Sequence, residues 1–175
     1  FLILLLLAGA LWLRAQPPRQ YTFSHYSTAT GMLSNQVNTV VQDETGYIWA
    51  GTTDGLVRFD GARYKNFQHR AGDSTTIPAN AISQLVIDQR KNLWVLVNNG
   101  RVGIFSTSEF KFHEVKIKVK NPAVLPVSIK KLLKDDAGNI FLLVHGHEIL
   151  TWNEKTNELA EDNNFFPSKD GWGFT

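Results

Sequence analysis

The chain has 175 residues, 43% of them hydrophobic and 19% charged, enough apolar material for a folded core and too little charge for a disordered chain. Its formal net charge of +2 is too small for an electrostatic grip on nucleic acid, so no nucleic-acid partner is expected. Cysteine is absent, which excludes disulfides, thiolate metal sites and cysteine nucleophiles together.

Phe1 to Leu13 is almost purely apolar and is followed by Arg14-Ala15-Gln16-Pro17-Pro18. A membrane-spanning helix needs about 20 apolar residues, and this run is shorter. It fits the apolar core of a signal peptide, so residues 1–16 are expected to be an N-terminally truncated signal peptide, with a signal anchor as the alternative. Residues 17–175 then form an exported region. Within it, Tyr21-Thr22-Phe23 opens a segment, about 21–26, that reads as an orphan strand.

A repeat follows. Asn35, Val37, Asp43, Ile48, Trp49 and Gly55 are matched by Asn80, Ile82, Asp88, Leu93, Trp94 and Gly100, every pair 45 positions apart, as in 80 − 35 and 94 − 49. In a weaker third copy, Asp135, Gly138, Ile140, Phe141 and Gly146 take the places of Asp43, Gly46, Ile48, Trp49 and Gly55. Each copy reads as four short strands. In the first, Val37 to Gln42 is rich in β-branched residues, and Asp43-Glu44-Thr45-Gly46 is a turn. Tyr47 to Thr52, Leu56 to Phe59 and Tyr64 to Phe67 supply the other strands, separated by Asp-Gly turns.

Four-stranded meanders repeating every 40–50 residues or so mark the blades of a β-propeller. The expected fold is therefore all-β, with blades at about 35–67, 80–119 and 127–160 of a ring that continues beyond residue 175. Trp49, Trp94 and Phe141 fall at one point on an inner strand and are expected to fill the layers between blades; sugar stacking is the alternative use of the tryptophans. Asp43, Asp88 and Asp135 read as turn formers rather than as paired catalytic carboxylates. Val115-Lys116-Ile117-Lys118-Val119-Lys120 alternates strictly and reads as an outer strand whose lysines discourage edge pairing, with contact to an acidic glycan or lipid as the alternative.

The first copy resembles the two-component regulator propeller family. The resemblance rests on Gly31-Met32-Leu33-Ser34-Asn35-Gln36-Val37, Asp43-Glu44-Thr45-Gly46, Ile48-Trp49-Ala50-Gly51-Thr52 and Gly55-Leu56-Val57-Arg58-Phe59-Asp60-Gly61. The second copy keeps Asn80, Asp88, Leu93-Trp94 and Gly100 but has Leu96-Val97 where Gly-Thr is usual, and the third departs further. What the resemblance implies is a periplasmic sensor in a parent protein anchored in the inner membrane. Such a parent works as a homodimer, detects oligosaccharides or another small periplasmic ligand, and relays to a histidine kinase outside these residues. The alternative is a secreted propeller enzyme, or a carbohydrate-binding propeller without signalling output. No catalytic residue and no cofactor is assigned within the chain.

The turns between second and third strands share one end of each blade with the connections between blades. Asp54, Asn98, Asn99, His145 and His147 from those turns, with Asn35 and Asn80 from the connections, are the candidate ligand-binding groups; solvated turn residues are the plain alternative. His145-Gly146-His147-Glu148 also has a metal-like spacing, but no further ligand lies near in sequence, so no metal is assigned.

Overall fold

A computed structural model describes residues 20–119, 129–144 and 149–161. The apolar run at residues 1–13 and the His145–His147 pair lie outside them. Among the described residues, no helix is long and apolar enough to cross a membrane.

The chain folds as three sheets in sequence order, each built on an antiparallel meander. The first contains β1 (Val37–Gln42), β2 (Ile48–Thr52), β3 (Leu56–Phe59) and β4 (Tyr64–Phe67). The second contains β5 (Ile82–Ile87), β6 (Leu93–Val97), β7 (Val102–Ser106) and β8 (Lys111–Glu114). In the third, β10 (Ile129–Lys134), β11 (Ile140–Val144), β12 (Ile149–Asn153) and β13 (Glu158–Glu161) make the meander, and β9 (Lys116–Lys118) pairs in parallel with β13 at its edge. These are three propeller blades, as the repeat predicts.

Burial on both faces of the middle blade explains its apolar pattern. The second strand of the middle blade, Leu93–Val97, is buried throughout. Leu93, Val95 and Val97 join Trp49, Leu56, Ile82 and Phe105 in a core between the first and second blades. Trp94 and Leu96 point the other way, into a core with Leu132, Ile140, Leu142 and Leu150 between the second and third. A two-sided strand reads as continuous rather than alternating hydrophobicity.

The inner strands are joined by side chains. In all three blades the register of the first hairpin slips at one place, between Val37 and Thr39, between Ile82 and Gln84, and between Ile129 and Lys131. Such a bulge turns a polar side chain toward the neighbouring strand. Thr39 Oγ1 accepts from Leu85 N–H (3.2 Å) and Asn38 Nδ2 donates to Ile82 O (2.7 Å). One blade further on, Gln84 does both tasks: Nε2 donates to Leu132 O (2.6 Å) and Oε1 accepts from Leu132 N–H (2.9 Å). Backbone groups on the unpaired inner edge at Ile82, Leu85 and Leu132 are thus satisfied by the preceding blade.

Two features differ from the sequence reading. Residues 20–27 form no strand, and Tyr21 and Phe23 are 71% and 90% exposed; a strand needs a ladder partner, and none lies beside this segment among the described residues. Tyr26 instead packs on Phe59, ring centroids 5.0 Å apart. The lysine-bearing strand does form an edge, but of the third sheet rather than the second. Val115 and Ile117 are drawn into the core between those two blades, which carries the chain across to β13.

Candidate functional site

The end of the blades that carries the connections is built from short polar side chains bonded to backbone. Ser34 Oγ and Thr53 Oγ1 stand 2.8 Å apart, and Thr53 N–H donates to Gln36 O, which ties the β2–β3 turn to the entry of β1. Thr52, fully buried, donates its hydroxyl to Gly55 O (2.9 Å) and accepts Asp54 N–H (3.1 Å). In the second blade Asn98 N–H donates to Ala81 O (2.9 Å), the same tie without the hydroxyls. The β2–β3 and β6–β7 turns therefore share an end with the connections, where the registry puts them.

The candidate residues divide by what their side chains already do. Asn35 Oδ1 accepts Thr28 N–H (2.8 Å) and Asn80 Oδ1 accepts His69 N–H (2.7 Å), so both use their carbonyl to fold the connection that precedes their blade. Asn99 Oδ1 accepts Arg101 N–H (3.1 Å) within its own turn. Asp54 and Asn98 are exposed, with no side-chain hydrogen bond among the described residues. The Asp54 carbonyl accepts Gln68 Nε2 (3.0 Å), which ties this turn to the connection toward the second blade. No hydrogen bond joins Asp54, Asn98 and Asn99 to one another among the described residues, and His145 and His147 lie outside them.

At the opposite end, the turns opened by Asp43, Asp88 and Asp135 carry more than a change of direction. Asp43 Oδ1 accepts Thr45 N–H (3.0 Å), the Thr45 hydroxyl (2.6 Å) and Tyr47 N–H (3.0 Å), while Oδ2 accepts the Trp49 indole N–H (2.7 Å). Asp88 repeats the device: Oδ1 takes Arg90 and Asn92 N–H, and Oδ2 takes Asn92 Nδ2 and Trp94 Nε1, each at 2.9 Å. In the third blade the Phe141 ring has no N–H to offer, and Asp135 holds Asn139 through its N–H (2.7 Å) and Nδ2 (2.8 Å). The sequence reading assigned turn formation to the acids and packing to the tryptophans; the bond that joins them escaped it, although their fixed six-residue spacing was its signal.

These bonds set a pH dependence. Partial burial pushes the Asp43 carboxyl up, and the donors from Thr45, Trp49 and Tyr47 outweigh it, leaving the group below its ordinary value of 3.8. Asp135 is lowered first by the Asn139 side chain, then by backbone N–H groups. A carboxyl lowered by folding contributes stability above its unfolded pKa and loses it as the pH falls through the folded one. The thermal midpoint should therefore be level from neutral pH to about pH 5 and drop below about pH 4. Asp43→Asn should make that drop shallower, checked by circular dichroism melts across the range.

Three four-stranded meanders, the first sealed to the second by Trp49 and the second to the third by Trp94, define the class: consecutive blades of a β-propeller. Within the first, residues 31–54 match the model of the family described as two component regulator propeller. Over 77 residues, 44% of this chain, the sequence is 34% identical to histidine kinase P4 of Formosa agariphila. The chain spans 6% of that protein's length. Among solved structures, the fold is similar to the extracellular domain of a hybrid two component system from B. thetaiotaomicron, with TM-score 0.65 and 16% identity. That likeness covers 81% of this chain and 20% of the other. Virginiamycin B lyase from Staphylococcus aureus is similar at TM-score 0.53 and 17% identity, over 75% of this chain and 42% of the lyase. At these identities the two structures establish the propeller fold alone.

Proposed function

We propose that this chain is an extracytoplasmic, ligand-sensing part of a two-component receptor. The observation that carries the proposal is the family match at residues 31–54, in the blade whose structure follows the repeat most fully. The sequence likeness to a histidine kinase and the fold likeness to the extracellular domain of a hybrid two component system support it. The apolar run at residues 1–13 supports export to the periplasm, in a parent held at the inner membrane. The ligand proposed is an oligosaccharide or another small periplasmic molecule, sensed by a homodimeric parent at the end of the blades that carries the connections. Asp54 and Asn98 are the described groups there whose side chains make no hydrogen bond.

The second reading is a secreted propeller enzyme, and the lyase fold shows that a propeller is compatible with catalysis. An enzyme needs an acid or base converging on a substrate. Asp43, Asp88 and Asp135 are instead occupied by turn and indole donors.

The test is made in the intact receptor. Alanine at Asp54, Asn99 and His147 together should abolish the phosphorylation that an oligosaccharide pool induces, with unstimulated phosphorylation retained. A response equal to that of the parent removes the proposed sensing end, and a receptor without kinase activity removes the signalling role.

A further inference from the structure

Beside that end, the connection from the first blade to the second and the outer strands of both enclose a cleft of about 420 Å³. Small-molecule clefts typically measure about 300–1,000 Å³. Its floor is aromatic. Phe67 of β4 meets Phe105 of β7 edge-on at 4.9 Å between centroids, and Phe110, from the β7–β8 turn, stacks on Phe67 at 5.2 Å. The connection is fixed over this floor by Phe112 N–H donating to Thr75 O (2.7 Å), a bond from β8 to the loop.

Phe110 has φ 58°, in the left-handed region that bulky side chains avoid. Such a conformation persists only where the surroundings impose it, and it gathers at functional positions. Here the hairpin turn sets it, since Asn157 at the same place in the β12–β13 turn takes φ 54°. Lys65 Nζ lies 3.6 Å from the centroid of the Phe110 ring and Arg58 Cζ 5.2 Å from it, both within cation–π range. The aromatic floor is therefore assembled from two blades.

The rim decides the ligand chemistry. Arg70 and Lys111 are balanced by Asp73 and Glu109, so the cleft has no net preference for an ion of either sign. His69 Nδ1 lies 3.0 Å from Ile77 O, which only accepts; Nδ1 therefore carries the proton, and in the neutral ring Nε2 offers a lone pair. Balanced donors and acceptors around an aromatic floor suit a molecule that pairs an apolar C–H surface with several hydroxyls. We propose that this inter-blade cleft is a second binding site, which takes a short neutral saccharide against the Phe67–Phe105–Phe110 floor. The cleft borders the sensing end proposed above, through Gln68 on the Asp54 carbonyl and His69 on Asn80, but none of that end's candidate side chains lines it.

Saturation-transfer NMR of the full chain with glucose, xylobiose, maltose and cellobiose tests it, with hydroxyl-radical footprinting to locate contact. At least one of these probes should show transfer and protect Phe67 and Phe110 from oxidation. Phe110→Gly removes the ring while glycine tolerates the positive φ, and it should weaken binding about tenfold or more, the loss of one anchoring contact. Arg70→Ala with Lys111→Ala, both exposed and off the core, should also weaken it and guards against a folding effect. The site is overturned if no probe shows transfer, if Phe110→Gly and the double variant both bind as the parent does, or if protection falls on the Asp54 and Asn99 turns. That last result leaves the sensing role intact. Loss of receptor signalling with this binding retained would remove the sensing role and leave the cleft.

Discussion

Trp94→Ala should lower the stability of this chain by about 3–5 kcal/mol, the range for emptying a large aromatic site in a core. Trp94 is fully buried, in the layer between the second and third blades, and meets Trp152 edge-on with centroids 4.9 Å apart. Neighbouring leucines belong to three-strand ladders and cannot collapse into the space without breaking register. Truncation also withdraws a donor from the buried Asp88 carboxylate. Trp94→Phe keeps an aromatic body and forfeits only the indole bond, the state the third blade already occupies with Phe141. Its loss should be about 1–2 kcal/mol. Urea denaturation with both variants measures the difference. A loss under about 1 kcal/mol for Trp94→Ala would mean that the blades do not pack through this residue.

Asp88→Ala should cost about 2–4 kcal/mol, more than a turn residue normally does, because one carboxylate serves four donors in a buried position. Two of those bonds shape a turn in which Lys91 takes φ 68°, and one fixes the indole that seals the next blade. Asp88→Asn separates the roles. Its carbonyl can still accept the turn N–H groups, while its NH2 faces the indole N–H, donor against donor. Asp88→Asn should therefore fall between Asp88→Ala and the parent, and combining it with Trp94→Phe should add less than the two single losses, the mark of a shared bond. Asp135→Ala, where no indole depends on the acid, should be milder than Asp88→Ala. Equal losses at the two positions would deny the carboxylate–indole bond its part.

The fold was legible where local chemistry and burial agree. Leu56–Phe59 and Tyr64–Phe67 match the strands expected from their Asp-Gly boundaries, because such turns dictate where a ladder begins and ends. The aromatic spacing located the layers between blades, since each blade must fill the same gap with one large side chain. Gly51 shows why the first blade keeps the Gly-Thr of the repeat: a Cβ there would stand 2.5 Å from Ile82 Cγ2 on the next inner strand. What was not legible depends on neighbours distant in sequence. Gln84 reads as an ordinary strand residue until Leu132 stands beside it. The strand Lys116–Lys118 reads as the end of the second blade, because alternation shows that a strand is an edge but not which sheet it joins. Asn35 and Asn80 were singled out as polar groups of the connections, and their capping of Thr28 and His69 depends on loop shapes that spacing does not reveal. Phe110 carries no sequence mark at all, since its contacts with Arg58 and Lys65 come from another blade.

The most direct test of the sensor proposal is to read the gene outward in both directions from the codons of these residues. The proposal predicts further repeats with a tryptophan or phenylalanine at the Trp49 position, then a membrane-spanning segment, then a histidine kinase region. A reading frame that closes after a single ring of blades, with no membrane span, would contradict it and point to a secreted binding protein or enzyme.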